Sequence, residues 1–335
     1  MLKKIKNIAI IGDGGWGTAL SVHLIKKGYP VKLWGPFAPY LQQMRETRSN
    51  PKFLAGIPLP PELVLVDQLK EAFSGSDLLV FAVPSKYALD VLKKIRKEKI
   101  DFSNKIFLSV TKGIDNAHLL RISEIIQQQL GDIPLAVLSG PTIAREVAQG
   151  IPSTAVVAAR DQRVARMAQE VFNTDSFRIY RNTDIPGVEL GGSIKNIIAI
   201  ACGVCDGLGF GSNTKAAILA RGLAEMARLG RILGAHPKTF WGLSGLGDLV
   251  TTCFSPQSRN RTVGEQLGQG KTITEITSRM DMVAEGVETV KAVRKLSRRH
   301  KIPMPICDEV YNIIYKNKPC PAAVTDLMNR AMKAE

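Results

Sequence analysis

Along the first half of the chain, short runs of β-branched and other apolar residues alternate with stretches whose apolar positions recur every three or four residues. The runs fall at 5–11, 30–34, 63–66, 78–83, 106–111, 135–139, 155–158 and 177–180. Several are apolar without interruption, the pattern of strands covered on both faces. Helices are predicted at 18–27, 87–98, 119–130 and 161–172, with Asp161 near the N-terminus of the last. Strand followed by helix, repeated, predicts a mostly parallel sheet wrapped by helices.

Beyond about Pro186 the pattern changes. Strand-like runs almost vanish, and helical periodicity dominates 194–205, 214–233, 262–267, 287–300 and 307–315. Glycines cluster between these segments, at Gly207, Gly209 and Gly211 and again at Gly242, Gly245 and Gly247. The reading is an α/β domain over 1–188 followed by an all-α domain over 189–335, and 335 residues suit two such domains.

Composition adds less. A hydrophobic fraction of 45% and a charged fraction of 22% are those of an average soluble globular protein. The apolar stretch 194–204 contains Lys195 and Asn196 and reads as too short to cross a bilayer. The basic N-terminus is followed by no long apolar run or small-residue cleavage site but by a glycine turn at Gly12, which argues against a signal peptide. Five cysteines, odd in number, suit a reducing compartment, so the chain is expected in the cytoplasm with no membrane partner. Cys202 and Cys205 have C-x-x-C spacing late in a predicted helix, and small packing residues are the expectation there. No metal site is expected.

Charge matters more. Lys+Arg 45 against Asp+Glu 30 leaves a net +15. The bases form no dense tract with interleaved aromatics, so small anionic ligands are favoured over nucleic acid.

The segment Ile8-Ala9-Ile10-Ile11-Gly12-Asp13-Gly14-Gly15-Trp16-Gly17-Thr18-Ala19-Leu20 is a strand, a G-x-G-x-x-G turn and a helix start. Gly12 permits the tight turn, Gly14 lets the backbone approach a pyrophosphate, and Gly17 allows close helix–strand packing. The helix N-terminus adds N–H donors and a favourable dipole. Placed after the first strand of a βαβ unit, the motif predicts a Rossmann-type doubly wound domain that binds a dinucleotide. The acid that would grip the ribose 2′-hydroxyl of NAD is missing, because the second strand ends Leu33-Trp34-Gly35-Pro36. No Arg or His stands there for NADP either, and Arg45 or Arg48 would serve only if the fold brought them round. The cofactor is NAD or NADP.

The histidines His23, His118, His236 and His300 show no obvious partner carboxylate, and surface positions are expected for most. Two lysines are better placed. Lys112 follows the run 106–111 and so sits at the carboxyl end of a strand, where open α/β sheets bind ligands. Lys195 lies near the start of an otherwise apolar helix, where it either snorkels to water or works as a buried base.

Several ordered blocks resemble the bacterial NAD(P)-dependent glycerol-3-phosphate dehydrogenase family over nearly the whole chain. Besides the glycine turn they are Val110-Thr111-Lys112-Gly113, Leu138-Ser139-Gly140-Pro141-Thr142 and Leu190-Gly191-Gly192-Ser193-Ile194-Lys195-Asn196. They continue with Arg221-Gly222-Leu223-Ala224-Glu225-Met226, Gly245-Leu246-Gly247-Asp248-Leu249 and Ser258-Arg259-Asn260-Arg261. The resemblance implies reversible reduction of dihydroxyacetone phosphate to sn-glycerol 3-phosphate, feeding phospholipid synthesis. It implies that Lys195 is the general base in oxidation and the proton donor in reduction. Lys112, Gly140 and Thr142 would line the substrate site, Asp248 would hold the substrate or the lysine, and Ser258, Arg259 and Asn260 would receive the phosphate. Gly15, Trp16, Ala144, Val283 and Glu285 would contact the cofactor, with Lys112 and Arg259 reaching it too. Relatives often carry serine at position 142 and a basic residue at the position of Pro36.

Physical chemistry gives these roles a rationale. A guanidinium beside a helix N-terminus suits a phosphate, although an ordinary serine cap with a solvated arginine would read the same. A second cation would lower the Lys195 pKa, and a directly paired Asp248 would oppose that, so Asp248 is expected to orient groups. The rival readings are another hydroxy-acid or sugar-acid dehydrogenase of the same plan, or a non-catalytic dinucleotide sensor. A homodimer is the general expectation for such enzymes.

Overall fold

The computed structural model describes residues 4–280, 282–332 and 334. All eight apolar runs of the first half are strands: β1 (Ile8–Ile11), β2 (Val31–Trp34), β3 (Val64–Val66), β4 (Leu78–Phe81), β5 (Ile106–Ser109), β6 (Leu135–Ser139), β7 (Ser153–Ala159) and β8 (Phe177–Asn182). They form one sheet in the order β3-β2-β1-β4-β5-β6-β7-β8. The sheet is parallel from β3 to β6; β7 pairs antiparallel with β6, and β8 runs parallel to β7.

The uninterrupted apolar runs have the expected cause. In β1, Ile8 and Ile10 enter one core while Ala9 and Ile11 enter another on the opposite face; in β4, Leu78 and Val80 part from Leu79 and Phe81 in the same way. Side chains alternate across the sheet, and helices cover both sides. The register aligns Ile11 with Phe81, Phe81 with Ser109, and Ser109 with Val137. The loops after β1, β4, β5 and β6 therefore leave from one edge of the sheet.

The expected helices are present at Gly15–Lys26, Ser85–Lys97, Ile122–Leu130 and Gln162–Phe172, with Asp161 capping the last by accepting from the Arg163 N–H. Ala38–Thr47 is a further helix that periodicity did not reveal, since it buries only Leu41 and Met44. Ile273–Ser278 and Cys320–Met328 were likewise unexpected.

The second half is organised around one helix, Ile185–Gly207. Its 23 residues are long and apolar enough to span a bilayer, contrary to the expectation from 194–204, yet the most apolar window is wholly buried within the protein. A helix apolar on all sides is a core helix when other elements surround it. Helices Ser212–Ile232, Asp248–Phe254, Arg259–Gly268, Glu285–Arg299 and Pro305–Lys316 supply much of that surround. The division at 188/189 falls inside this continuous helix. Buried Glu189, on its first turns, accepts from the Ser123 N–H at 2.9 Å and from Arg121 Nη1 at 2.8 Å, tying it to the sheet-bearing half.

Glycines set how closely its neighbours approach. A Cβ on Gly203 would stand 2.0 Å from the Arg261 carbonyl oxygen, and one on Gly264 would stand 2.0 Å from that of Ile200. The helices Ile185–Gly207 and Arg259–Gly268 thus touch backbone to backbone. Gly264→Ala should separate them and destabilise the protein by about 1–3 kcal/mol. A lowered urea midpoint at unchanged slope would report it; an unchanged midpoint would refute the close approach.

Candidate active site

The glycine turn lies at the edge where β1, β4, β5 and β6 end. The Gly12 N–H donates to the Trp34 carbonyl at 2.9 Å, and Gly12 has φ +121°, with a hypothetical Cβ 2.7 Å from the Ala82 carbonyl oxygen. A Cβ on Gly17 would meet the Gly12 carbonyl oxygen at 2.0 Å, so helix and turn could not otherwise close up. Gly14 differs: nothing lies within 4 Å of where its Cβ would be, leaving open space over the helix N-terminus. Trp16 is half-buried, with an enclosed Nε1–H that has no acceptor. Open space above a ring of N–H donors suits a pyrophosphate, so the residues present fit a dinucleotide. Ala144 starts a short helix, Ala144–Gln149, and packs against the same core as Trp16.

Arg45 and Arg48 are not brought round. Arg45 Nη2 donates to the Leu65 carbonyl at 2.7 Å, and Arg48 donates to the carbonyls of Pro61 and Leu63. They clamp the strand β3 and its approach.

At the same sheet edge, two lysines from different halves converge on one carboxylate. Lys112, just beyond β5, donates to Asp248 Oδ2 at 2.8 Å, to the Gly140 carbonyl at 3.0 Å and to Thr142 Oγ1 at 3.3 Å. Lys195 donates to Asp248 Oδ1 and, at 2.5 Å, to Thr252 Oγ1. Gly192 makes this approach possible, because a Cβ there would stand 2.3 Å from Ser139 Oγ at the end of β6 and 3.5 Å from Lys112 Cγ. Asp248 opens the helix Asp248–Phe254, and Thr252, one turn on, donates to the Asp248 carbonyl at 2.6 Å. That unexpected short helix hid Thr252 from sequence reasoning; the i, i+4 spacing to Asp248 was the available signal.

Lys195 does not snorkel to water. It is 5% exposed and Asp248 1%. Burial is the largest influence on its ammonium and lowers the pKa from 10.5 to about 8; the Asp248 carboxylate opposes this and the nearby Lys112 charge assists. Asp248 pairs directly with Lys195, and burial outweighs its opposing charge.

Ser258, Arg259 and Asn260 form the start of the helix Arg259–Gly268. Ser258 is its N-cap, with Oγ accepting from the Arg261 N–H at 3.3 Å. Arg259 is exposed and gives Nη1 to the Val283 carbonyl at 2.7 Å. Asn260 is buried, donating to Asn196 Oδ1 and accepting from the Gly286 N–H, both at 2.9 Å. Glu285 accepts from the Ser85 N–H at 3.0 Å and from its hydroxyl, which joins this cluster to the segment after β4. Burial raises the Glu285 carboxyl pKa, and Arg259 counters it. A Cβ on Gly113 would touch Ser85 and come within 3.0 Å of Glu285 Oε2. The two clusters are therefore contiguous through Lys112-Gly113 and through Lys195-Asn196. Ser85 and Asn196 were not singled out from sequence, although Ser85 also follows a strand's carboxyl end.

The histidines stand apart from these clusters. His118, His236 and His300 are exposed, but His118 does have a partner, Asp115 Oδ2 at 2.9 Å from its Nδ1. His23 is the buried exception, with Nε2 2.8 Å from the Phe172 carbonyl. Cys202 and Cys205 are free thiols buried in the helical core or beside it.

Comparison with known proteins agrees with this arrangement. Residues 7–165 match the family description "NAD-dependent glycerol-3-phosphate dehydrogenase N-terminus", and residues 184–325 match its C-terminus. The chain is 48% identical over 335 residues to glycerol-3-phosphate dehydrogenase [NAD(P)+] of Citrifermentans bemidjiense, covering 98% of this chain and 99% of that one. It is 44% identical over 333 residues to the Geobacter sulfurreducens enzyme of the same name, with the same coverage. Its structure is similar to that of glycerol-3-phosphate dehydrogenase from Coxiella burnetii, with a TM-score of 0.94 at 36% identity, over 98% of this chain and 100% of the other. With both halves of the chain matched by the two halves of one family, this chain belongs to the NAD-dependent glycerol-3-phosphate dehydrogenase family.

Proposed function

We propose that the chain reduces dihydroxyacetone phosphate to sn-glycerol 3-phosphate, and runs the reverse oxidation, with NAD or NADP as hydride carrier. Counting protons at the two lysines carries the assignment of roles. An ammonium has three N–H donors. Lys112 spends all three on Asp248, Gly140 and Thr142. Lys195 gives two to Asp248 and Thr252, and among the described residues its third has no acceptor. That N–H is free for a substrate oxygen, and a pKa of about 8 suits proton transfer near neutral pH.

In reduction, Lys195 donates to the ketone oxygen at C2; the N–H bond breaks as the alcohol O–H forms, leaving the amine neutral. In oxidation, the neutral amine takes the hydroxyl proton. Bound nicotinamide supplies or accepts the hydride. Asp248 and Thr252 fix the Lys195 nitrogen, while Lys112 balances the Asp248 charge without donating to substrate. Arg259 has four further N–H groups beyond the one given to Val283, and it stands at a helix N-terminus beside the Ser258 cap. With Asn260 it makes the phosphate receptor. Anchoring the phosphate there leaves C2 to meet Lys195, and positioning contributes much of the rate.

We further infer that residues 1–188 hold the dinucleotide and 189–335 the substrate. The enzyme would act in the cytoplasm as a homodimer, without membrane or nucleic-acid partners, supplying phospholipid synthesis. Five free, buried cysteines suit such a reducing compartment.

Lys195→Ala should lower kcat by about 10²–10⁴ while cofactor affinity is retained; substantial turnover by that variant would remove the assignment. Protonated Lys195 serves reduction and neutral Lys195 serves oxidation. Raising pH through about 8 should therefore depress kcat/KM for dihydroxyacetone phosphate and increase it for glycerol 3-phosphate. Profiles of both directions that bend together would contradict this. Arg259→Ala should raise KM for dihydroxyacetone phosphate by about tenfold or more, through loss of a charge-assisted contact. Turnover of unphosphorylated dihydroxyacetone should hardly change; an equal loss for both substrates would refute a phosphate-binding role.

A further inference from the structure

The second strand lacks an acid at its end, but the space where that acid would begin is filled. The residue that follows β2 is Gly35, and a Cβ built on it would stand 2.4 Å from Asp13 Oδ2 and 2.6 Å from Asp13 Cγ. Asp13, inside the glycine turn, thus lays its carboxylate against the end of the neighbouring strand. The backbone holds it there. The Gly12 N–H donates to the Trp34 carbonyl, and the Asp13 carbonyl accepts from Asn50 Nδ2 at 2.8 Å and from Thr18 Oγ1 at 3.2 Å.

Asp13 is 7% exposed, and its Oδ2 is enclosed with no hydrogen-bond partner among the described residues. A buried acceptor left unpaired costs free energy unless something donates to it. Burial accordingly raises the Asp13 pKa, and its own backbone N–H counters this. A dinucleotide seated on the turn runs its adenosine ribose past the end of the second strand, where an acid usually accepts from the 2′-hydroxyl. Gly35 leaves room for Asp13 to stand in that place from the adjoining loop. A 2′-phosphate would meet the same carboxylate as a like charge. The arginines that might offset it, Arg45 and Arg48, are committed to carbonyls along and before β3.

We propose that Asp13 is the residue that selects the cofactor: it accepts a hydrogen bond from the ribose 2′-hydroxyl and repels a 2′-phosphate, so the enzyme prefers NADH to NADPH. The proposal rests on a dinucleotide binding over the Gly12–Gly17 turn, and it adds which dinucleotide and by what atom.

Titration calorimetry on the whole enzyme tests it through affinity, without turnover. The wild type should bind NADH about tenfold or more tightly than NADPH, and 2′-deoxy-NADH should bind about tenfold more weakly than NADH. Asp13→Asn, which keeps size but removes the charge, should narrow the NADH-to-NADPH ratio by about tenfold. Equal wild-type affinities for NADH and NADPH, or undiminished binding of 2′-deoxy-NADH, would overturn the role of Asp13 alone. Failure of both natural cofactors to bind would overturn the dinucleotide site itself. Should Asp13→Asn fail to fold, the deoxy comparison on the wild type still decides. A folded Asp13→Asn protein with an unchanged ratio refutes the proposal.

Discussion

One carboxylate, Asp248, is shared by two ammonium groups that reach it from opposite halves of the molecule. Lys112 comes from the loop after β5, and Lys195 from the long apolar helix. Buried charges are tolerable only when paired and hydrogen-bonded, and breaking such a pair costs about 3–5 kcal/mol. The triad therefore imposes conditions on everything around it. Gly192 must lack a side chain so that the helix can reach the end of β6, and Thr252 must sit one turn beyond Asp248 to take a second Lys195 proton. The sheet must also place the ends of β5 and β6 side by side, which its register does.

The same constraint separates two lysines that composition cannot distinguish. Lys112 is saturated by three acceptors. Lys195 is the more deeply buried, its third N–H has no acceptor among the described residues, and in the proposed reaction it moves the proton. Burial lowers its pKa more than Asp248 raises it, so the ion pair holds the amine in place without locking its proton there. Attachment of Glu189 to the Ser123 N–H keeps the helix carrying Lys195 seated against the sheet-bearing half.

Much of this was legible in the sequence, for identifiable reasons. Strands covered on both faces leave uninterrupted apolar runs, so all eight could be placed, and the glycine turn announces itself by spacing. Lys112 could be placed because a residue after a strand must lie at the sheet's ligand edge. Other features depend on contacts between distant segments. The Ala38–Thr47 helix buries too few side chains to show a period. The Lys195 environment reads equally as exposed or buried until Asp248, 53 residues on, is seen beside it. The missing acid after β2 looks like a defect in one dimension, and only the fold shows the carboxylate of Asp13 lying against Gly35.

Titration of Lys195 within this triad can be followed by NMR of the enzyme labelled with ¹³C at lysine Cε, with Lys195→Arg to assign the resonance. A Lys195 midpoint at about pH 8 is expected. A midpoint at the ordinary 10.5 would contradict it, because a lysine so readily kept charged could not serve as the base.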